Sequence, residues 1–482
     1  MVELSEDIHK LLEEVKEKLR PTEEEVRKGL ELFDEIKTLI ESSLNISYDF
    51  MVSLEGSFAK GTSIKDDIDL DIFILVRKED LSNEWIEEHI IKQLLKSELS
   101  RYPHQLKYAS HPYITLRVEN FEIDVVPAYW AKDPREIMTA VDRTPFHTKY
   151  VSSRLSDYMK DEVRLLKKFL KNLGIYGAEV RVEGFSGYLT ELIIIKYGSF
   201  IDALKAMSTW REGEVVIVDE KISREYLTPR ELRKVFKDDV LIVPDPVDPR
   251  RNAASAVSDR ALKIAVVASD TFIKKPLMKF FFYKPRIKPL NELIEFLEET
   301  ERKILLLSYS VPKNLPPDIL WGELKRISRR VVSFLRNYGF YVIDYDFWSN
   351  ELDQAFIALD LPSRGSLPSY DVREGPPRIS KGLLNFVMKH SSSGRALAVW
   401  VARDGSPKAI IKRKYKHAQE LLNSLSSEEL SSKDLVFLNI VSDLTEIPED
   451  LKRNKDFMIW LTSFVMKEYP YVTFKNFAEN KC

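Results

Sequence analysis

The chain has 482 residues, 44% of them hydrophobic and 11% aromatic, which is enough for about three globular domains. Its 73 basic and 76 acidic residues give a net charge of −3, so any nucleic-acid surface must come from local clustering of charge. The only cysteine is Cys482, which excludes a fold held by disulfides and fits a reducing cytoplasm. The charged N-terminus and the shortness of the apolar runs predict a soluble protein without membrane segments.

The first predicted elements are two amphipathic helices within residues 1–45 and a short strand, 52–54, that ends at Gly56. A glycine at this point lets the backbone approach an anion closely, and Ser57 can offer both its N–H and its hydroxyl group. Lys60 and Lys65 bring positive charge to the same loop. The segment is typical of a loop that binds phosphate.

Three alternating aspartates lead into the next predicted strand, 69–76. Asp67, Asp69 and Asp71 share one face of an extended chain, an arrangement that suits a cation but also occurs on exposed edge strands. A later strand, 121–127, carries Asp124 among β-branched apolar residues, where an unpaired carboxylate is costly. We therefore predict that Asp69, Asp71 and Asp124 lie together as metal ligands, with Asp67 solvated.

A helical region is predicted after residue 150. A helix over 161–173 carries a basic stripe that includes Lys167, which could equally be a solvated face. A second helix begins near Ser186 and has the composition of a core helix. The proline-rich segment 241–252 predicts a rigid, extended loop that presents Arg250 and Arg251 before another helix.

The C-terminal half has a different composition. Residues 272–288 interleave aromatic and basic side chains and are either a nucleic-acid surface or a core-edge helix followed by a linker. A strand (304–310), a helix (318–338) and two further strands (340–347 and 354–361) are then predicted. The helix places Lys325, Arg326, Arg329 and Arg330 on one face, where they could bind a polyanion. The Pro-, Gly- and Ser-rich stretch 362–377 predicts a flexible link.

Several segments within residues 21–257 together resemble one family, the class I (archaeal-type) CCA-adding enzymes, tRNA nucleotidyltransferases of the polymerase β-like superfamily. The resemblance is carried by GSFAKGTSIKDDIDLDIF, FEIDVVPAY, AVDRTPFHTKY, GIYGAE, EGFSGYLTEL and DPVDPRRNAA. The first of these alone indicates the superfamily, whereas TPFH, GIYGAE and FSGYL indicate this family.

The resemblance implies an α+β multidomain fold. It comprises an N-terminal polymerase β-like nucleotidyltransferase domain of sheet and helices, a helical central domain, and C-terminal α/β domains of βαββ type that bind RNA. The expected boundaries are 1–150 for the catalytic head, 151–270 for the neck, 271–335 with 420–482 for the body, and 336–419 for the tRNA-binding tail.

The resemblance also implies a reaction. C, C and A are added without a template to the 3′ end of tRNA from CTP and ATP, with release of pyrophosphate, by a two-metal-ion mechanism with two Mg²⁺. Asp69, Asp71 and Asp124 would be the catalytic metal ligands. The implied nucleotide-binding residues are Gly56, Ser57, Lys60, His147, Lys167, Tyr176 and Arg251. Lys325, Arg326, Arg329 and Arg330 would bind the acceptor stem.

Two positions depart from the family pattern that these segments resemble. Asp69 stands where that pattern has a glutamate, and Lys60 stands where it has an arginine. Both exchanges keep the charge, but a lysine cannot hold phosphate with two parallel hydrogen bonds.

Two alternatives stay open at this point. One is another RNA nucleotidyltransferase of the superfamily, a poly(A) polymerase or an oligoadenylate synthase. The other is a non-catalytic RNA-binding protein with a decayed transferase domain. The expected partners are tRNA, CTP and ATP in the cytoplasm, without a membrane, and a homodimer is the assembly we consider.

Overall fold

The computed structural model of the chain describes residues 6–65, 67–78, 81–108, 111–219 and 228–471. The chain divides into two compact units. Of the described residues, the first unit contains those up to Lys284 together with Pro470 and Tyr471, and the second contains those within Pro285–Tyr469. None of the helices in these ranges is long and apolar enough to cross a membrane.

The first unit begins with two helices, α1 (Glu6–Leu19) and α2 (Glu23–Ser43), as predicted. The second starts directly after Thr22, because Thr22 and Glu25 form a reciprocal capping box. A five-stranded sheet follows, with the short helix α3 (Gly56–Ala59) directly after its first strand. Its strands are β1 (Phe50–Glu55), β2 (Asp69–Val76), β3 (His104–Tyr108), β4 (Pro112–Val118) and β5 (Phe121–Tyr129).

The order in this sheet is β1-β2-β5-β4-β3, and β2 and β5 run parallel while the other neighbours are antiparallel. One face is apolar and packs on α2 and on the segment Asn83–Arg101. That segment contains α4 (Asn83–Ile86), a π-helical turn (Glu87–Ile91), α5 (Lys92–Lys96) and a 3₁₀ turn (Glu98–Arg101). Because side chains alternate along a strand, the opposite face carries the aspartates.

The rest of the first unit is mainly helical. Its elements are α6 (Thr144–Ser152), α7 (Asp157–Asn172), α8 (Gly187–Tyr197), α9 (Phe200–Met207), α10 (Pro229–Val235), α11 (Asp259–Lys274) and the short paired strands β6 (Glu214–Val215) and β7 (Leu241–Ile242). Phe280 and Phe281 are fully buried against Phe169 and Phe272 in the core of these helices. Of the two interpretations of 272–288, the core packing is therefore correct for these aromatic side chains.

The second unit contains the predicted β-α-β-β order as β8 (Lys303–Ser310), α13 (Pro317–Asn337), β9 (Asp344–Ser349) and β10 (Gln354–Leu361), after α12 (Leu290–Glu299). The strand β9 begins four residues later than predicted. A strand from further along the chain, β14 (Val436–Val441), completes the sheet in the order β14-β8-β10-β9. The helices α17 (Glu449–Arg453) and α18 (Lys455–Met466) contribute to its core.

A three-stranded antiparallel sheet lies in the same unit, with the order β11-β13-β12. It is built from β11 (Tyr370–Glu374), β12 (Ala396–Val401) and β13 (Pro407–Lys412), accompanied by α14 (Lys381–Ser392), α15 (Ala418–Asn423) and α16 (Ser427–Leu430). The prediction of a flexible link over 362–377 is wrong, because β11 lies in it and pairs along its length with β13.

Candidate active site

Three carboxylates lie on the open face of the first sheet. Asp71 on β2 is the register partner of Asp124 on the parallel strand β5, and Asp69 lies two residues earlier on the same face. The parallel strands β2 and β5 thus bring the three predicted aspartates together on one face of the sheet. Asp67 precedes the strand, is exposed and pairs with Lys171 on α7.

Desolvation, with the charges of neighbouring carboxylates adding to it, raises the pKa of all three aspartates. Burial, together with the charges of Asp124 and Asp69, raises the pKa of Asp71 to about 7. Burial also raises the pKa of Asp69, with the charges of Asp67 and Glu122 adding to the effect. The pKa of Asp124 rises because of burial, against a 2.6 Å hydrogen bond that Thr115 Oγ1 donates to its Oδ1.

These side chains fit a divalent cation by their chemistry. Oxygen ligands from carboxylates are what Mg²⁺ prefers, and a cation would hold ionised a set of aspartates that otherwise raise one another's pKa. In the described ranges, no group of three or more His, Cys, Asp or Glu side chains already has the spacing of a metal cage. The aspartates therefore provide oxygen atoms that could coordinate a metal ion, but they do not form a complete coordination shell.

Gly56 lies against one of these carboxylates. Its φ is +68°, and a Cβ built on it would lie 1.7 Å from Oδ2 of Asp71. The glycine is therefore required both by the backbone conformation and by the close approach of the aspartate. Ser57, the next residue, belongs with Gly56 to α3, and this short helix packs on β2.

The two predicted nucleotide-binding lysines converge on a carboxylate that was not among the predicted site residues. Glu191 on α8 is completely buried, and its Oε2 is 2.6 Å from Nζ of Lys60. Its Oε1 accepts a 2.7 Å hydrogen bond from Thr62 Oγ1 and lies 3.7 Å from Nζ of Lys167. Burial opposes ionisation, but the charges of Lys60 and Lys167 hold the pKa of Glu191 below its usual value.

Lys167 and Tyr176 are also largely buried. The ammonium of Lys167 donates to the carbonyl and hydroxyl oxygens of Thr62, both at 3.2 Å, and burial lowers its pKa to about 8. Tyr176 follows α7, and Nζ of Lys171 lies 5.4 Å from the centre of its ring. Burial and nearby carboxylates, Glu191 first among them, raise the pKa of Tyr176.

His147 and Arg251 meet at a second buried carboxylate, Asp245. Nε2 of His147 is 2.9 Å and Nη1 of Arg251 is 3.0 Å from Oδ2 of Asp245. The hydroxyl of Tyr188 donates to Oδ1 at 2.8 Å, and the Tyr188 ring stacks on the His147 ring with centroids 3.7 Å apart. Two predicted nucleotide-binding residues that are 104 positions apart in sequence thus share one anion.

The start of α6, which carries His147, is anchored to the end of β5 by Asp142. This buried aspartate accepts hydrogen bonds from the backbone N–H groups of Tyr129 (2.9 Å), Met138 (3.2 Å) and Thr139 (2.7 Å). The helix α6 then packs against β1, α3 and α8. The position of His147 relative to the phosphate loop is therefore fixed by the first sheet.

The four predicted tRNA-binding residues lie on α13 of the second unit, opposite its apolar face. Arg326, Arg329 and Arg330 are exposed, whereas Lys325 is partly buried. Arg326 pairs with Glu323 at 2.5 Å, and Arg330 donates to the carbonyl of Ser431 at 2.7 Å. The face is basic, as predicted, but two of its arginines also make intramolecular contacts.

Comparison with known proteins matches three family models along the chain. These are "Nucleotidyltransferase domain" over residues 35–147, "tRNA nucleotidyltransferase, second domain" over 161–282, and "CCA-adding enzyme, C-terminal domain" over 301–436. The sheet with its acidic face is thus that of a nucleotidyltransferase.

Curated relatives cover most of the chain. The CCA-adding enzyme of Saccharolobus shibatae is 37% identical over 85% of this chain and 90% of its own length, and that of Sulfolobus acidocaldarius is 33% identical over 92% and 99%. The chain belongs to the CCA-adding enzymes, which are tRNA nucleotidyltransferases. The predicted family, the fold class and the addition of CCA to tRNA are confirmed.

A more distant likeness exists to the solved structure of a cytoplasmic RNA terminal U-transferase. It has a TM-score of 0.44 and 17% identity, and covers 58% of this chain and 99% of that one. A similarity at this level supports no statement about function.

Proposed function

We propose that this CCA-adding enzyme adds C, C and A to tRNA at the acidic face of the first sheet, with Asp69, Asp71 and Asp124 as ligands of two Mg²⁺ ions. The observation that carries this proposal is the pairing in register of Asp71 with Asp124, next to the close contact between Gly56 and Asp71. When bound, divalent cations at such carboxylates neutralise the triphosphate and activate the attacking hydroxyl group.

In this transfer the protein mainly positions the reacting groups and stabilises negative charge, and it forms no covalent bond with the substrate. The 3′-hydroxyl group of the tRNA releases its proton to water, and its oxygen forms a bond to the α-phosphorus of CTP or ATP. The bond from that phosphorus to the bridging oxygen breaks, and pyrophosphate leaves. Gly56 and Ser57 would donate backbone N–H groups to the triphosphate, and Lys60 and Lys167 would offset its charge. Their common position at Glu191 supports this assignment.

Base selection is assigned to the group around Asp245. Arg251 would bond to the edge of C or A, and His147 and Tyr176 would hold the rest of the nucleotide. A wrong base would leave buried polar groups of this pocket unpaired, which is how such a pocket rejects it. Two observations support this assignment. The side chain of Arg251 is 37% exposed and so is accessible to a base, and its Nη1 is held by Asp245.

The tRNA would be bound in part by α13, through Lys325, Arg326, Arg329 and Arg330. The acceptor stem is an A-form helix, which proteins recognise through phosphates and 2′-hydroxyl groups rather than base edges. The domain boundaries predicted above, a homodimer and a cytoplasmic location complete the proposal.

The decisive experiment uses tRNA that lacks its 3′ end, incubated with the protein, Mg²⁺, labelled CTP and ATP. We expect three added nucleotides and then no further growth. Asp71→Ala should remove the addition while leaving tRNA affinity unchanged, because it removes a ligand of the metal and not of the RNA. Asp67→Ala is the matched control and should remain active, since Asp67 pairs with Lys171 outside the strand.

Other products would change the assignment. A long tail of A would favour a poly(A) polymerase, and 2′-linked oligoadenylate would favour a synthase. Tight binding of tRNA without incorporation at any metal concentration would indicate the non-catalytic RNA-binding protein. Loss of tRNA binding in Asp71→Ala would argue that the aspartate is structural.

A further inference from the structure

Among the described carboxylates near the predicted nucleotide-binding residues, Asp245 accepts the most hydrogen bonds. It is fully buried, and each of its oxygens has two donors. Oδ1 accepts from the hydroxyl of Tyr188 at 2.8 Å and from the backbone N–H of Val247 at 2.9 Å, and Oδ2 accepts from His147 and Arg251. A carboxylate has about four acceptor sites, so Asp245 is saturated.

The loop that carries Asp245 is closed on itself. The N–H of Asp245 donates to the carbonyl of Arg251 at 3.0 Å, and the N–H of Arg251 donates to the carbonyl of Asp248 at 2.9 Å. The side chain of Asn252 then holds the flanking strand, accepting from Val243 and donating to the carbonyl of Leu241, both at 2.7 Å. Asp245 therefore sits on a fixed backbone and can orient what it binds.

The carboxylate of Asp245 contacts two of the predicted nucleotide-binding residues, Arg251 and His147. On one side it holds Nη1 of Arg251, and because a guanidinium has five N–H groups, others remain to meet a base edge. On the other side it accepts from Nε2 of His147, which assigns the proton to that nitrogen and directs Nδ1 elsewhere. The pKa of Asp245 is raised by burial, but the hydrogen bond and charge of His147 outweigh this and lower it to about 2.

The helix α8 connects this group to the lysines. Tyr188, which bonds to Asp245, and Glu191, which bonds to Lys60, are three residues apart and so lie on one face of the helix. The helix α8 thus contacts both groups of side chains, those assigned to the base and those assigned to the triphosphate.

We propose that Asp245 is a positioning residue for nucleotide selection: it does not touch the nucleotide but aims Arg251 at the base and fixes the orientation of His147, with Tyr188 completing its hydrogen-bond shell. The inference rests on the proposed function, since it assumes that Arg251 and His147 face CTP and ATP. Selection of the base then depends on the buried carboxylate of Asp245, because it orients Arg251, the side chain that bonds to the base.

The test compares Asp245→Asn with Asp248→Asn. Both residues are buried carboxylates of the same loop, but Asp248 contacts Arg143 and Arg250 instead. An amide at 245 must turn an N–H₂ group toward one pair of donors, which breaks two of the four hydrogen bonds. We expect Asp245→Asn to raise the KM for CTP and ATP about tenfold or more, as the loss of a hydrogen bond to a charged group allows, and to increase incorporation of UTP. Asp248→Asn should do neither.

A double substitution shows whether Asp245 acts through Arg251. If it does, Asp245→Asn combined with Arg251→Gln should discriminate CTP from UTP no worse than Arg251→Gln alone. Full additivity of the two effects on discrimination would overturn the proposal. So would equal KM values and equal UTP incorporation for Asp245→Asn and Asp248→Asn. A wild-type protein that adds neither C nor A would instead contradict the proposed function.

A second pair of variants decides the matter if Asp245→Asn does not fold. Tyr188→Phe removes one donor to Asp245 but keeps the ring that stacks on His147, whereas Tyr150→Phe removes a hydroxyl that has no hydrogen-bond partner among the described residues. Increased UTP incorporation is expected for Tyr188→Phe and not for Tyr150→Phe, with similar melting temperatures. The same fidelity in both variants would contradict the positioning role.

Discussion

Glycine at position 56 is a direct consequence of where the Asp71 carboxylate lies. Gly56 and Gly61 have the same φ of +68°, so alanine would strain the backbone equally at both. The surroundings differ: a Cβ at 56 would meet Oδ2 of Asp71 at 1.7 Å, whereas a Cβ at 61 would meet the side chain of Lys160, whose nearest atom, Cδ, lies at 3.3 Å. The flexible lysine can move, but the aspartate would have to leave its position opposite Asp124.

We therefore predict that Gly56→Ala lowers kcat for CTP addition about 100-fold or more, the effect of misplacing a reacting group by about 1 Å. Gly61→Ala is the control and should lose stability to a similar extent but keep most of its activity. Single-turnover addition of labelled CTP and thermal melting of both variants provide the measurements. Similar activity losses in the two variants would show that backbone strain, and not the contact with Asp71, is responsible.

Single residues also show how far the sequence could predict the site. Asp69, Asp71 and Asp124 were predictable because strand alternation assigns them a face and a lone aspartate in an apolar strand needs a partner. Glu191 and Asp245 were missed because their partners lie far away in sequence, Lys60 at 131 positions and His147 at 98. A usable signal existed for Glu191: it interrupts an apolar helix, as Asp124 interrupts an apolar strand.

At the scale of elements, α13 has two faces with different tasks. Leu320, Leu324, Ile327 and Val331 are among the residues of its buried face, and Arg326, Arg329 and Arg330 are exposed on the other side. The amphipathic period of the sequence predicted this helix to within one residue at each end. The small sheet of β11, β12 and β13 was missed, because glycine and proline near β11 resembled a linker and cross-strand pairing is not visible in one segment.

Neutralising the basic face of α13 should weaken tRNA binding, because it removes ionic contacts with phosphate groups. We predict that Arg326→Gln, Arg329→Gln and Arg330→Gln together raise the KM for tRNA and reduce the slope of log K against log salt by about one for each phosphate group that the variant no longer binds. The measurement is tRNA affinity at several salt concentrations, with kcat for CTP unchanged at saturating tRNA. Lys263→Gln with Lys274→Gln on α11 is the control, since these exposed lysines pair with Asp259 and Asp270. An unchanged salt slope in the triple variant would exclude a phosphate-binding role for this face.

At the scale of the molecule, the chain has two units with separate hydrophobic cores. All the residues assigned to the nucleotide, from Gly56 to Arg251, lie in the first unit, and the basic helix lies in the second. Such a protein need not unfold in a single two-state transition.

We predict that CTP with Mg²⁺ raises the unfolding temperature of one calorimetric transition and leaves the other in place. A ligand at 100 times its Kd stabilises the unit that binds it by about 2.7 kcal/mol. Asp71→Ala should reduce this shift. If CTP moves both transitions equally, the two units unfold as one cooperative system.

The pairing of Lys60 and Lys167 with Glu191 has a consequence for the thermodynamics of substrate binding. A lysine side chain has about 2 kcal/mol of rotamer entropy, which a flexible surface lysine loses when it grips a phosphate. Here both side chains are buried and held before any nucleotide is bound, at 2.6 and 3.7 Å from the same carboxylate. Their ordering is completed when the chain folds, so in the proposed function the triphosphate would meet cations that are already immobile. The loss of side-chain entropy would then occur on folding and not in each round of nucleotide addition.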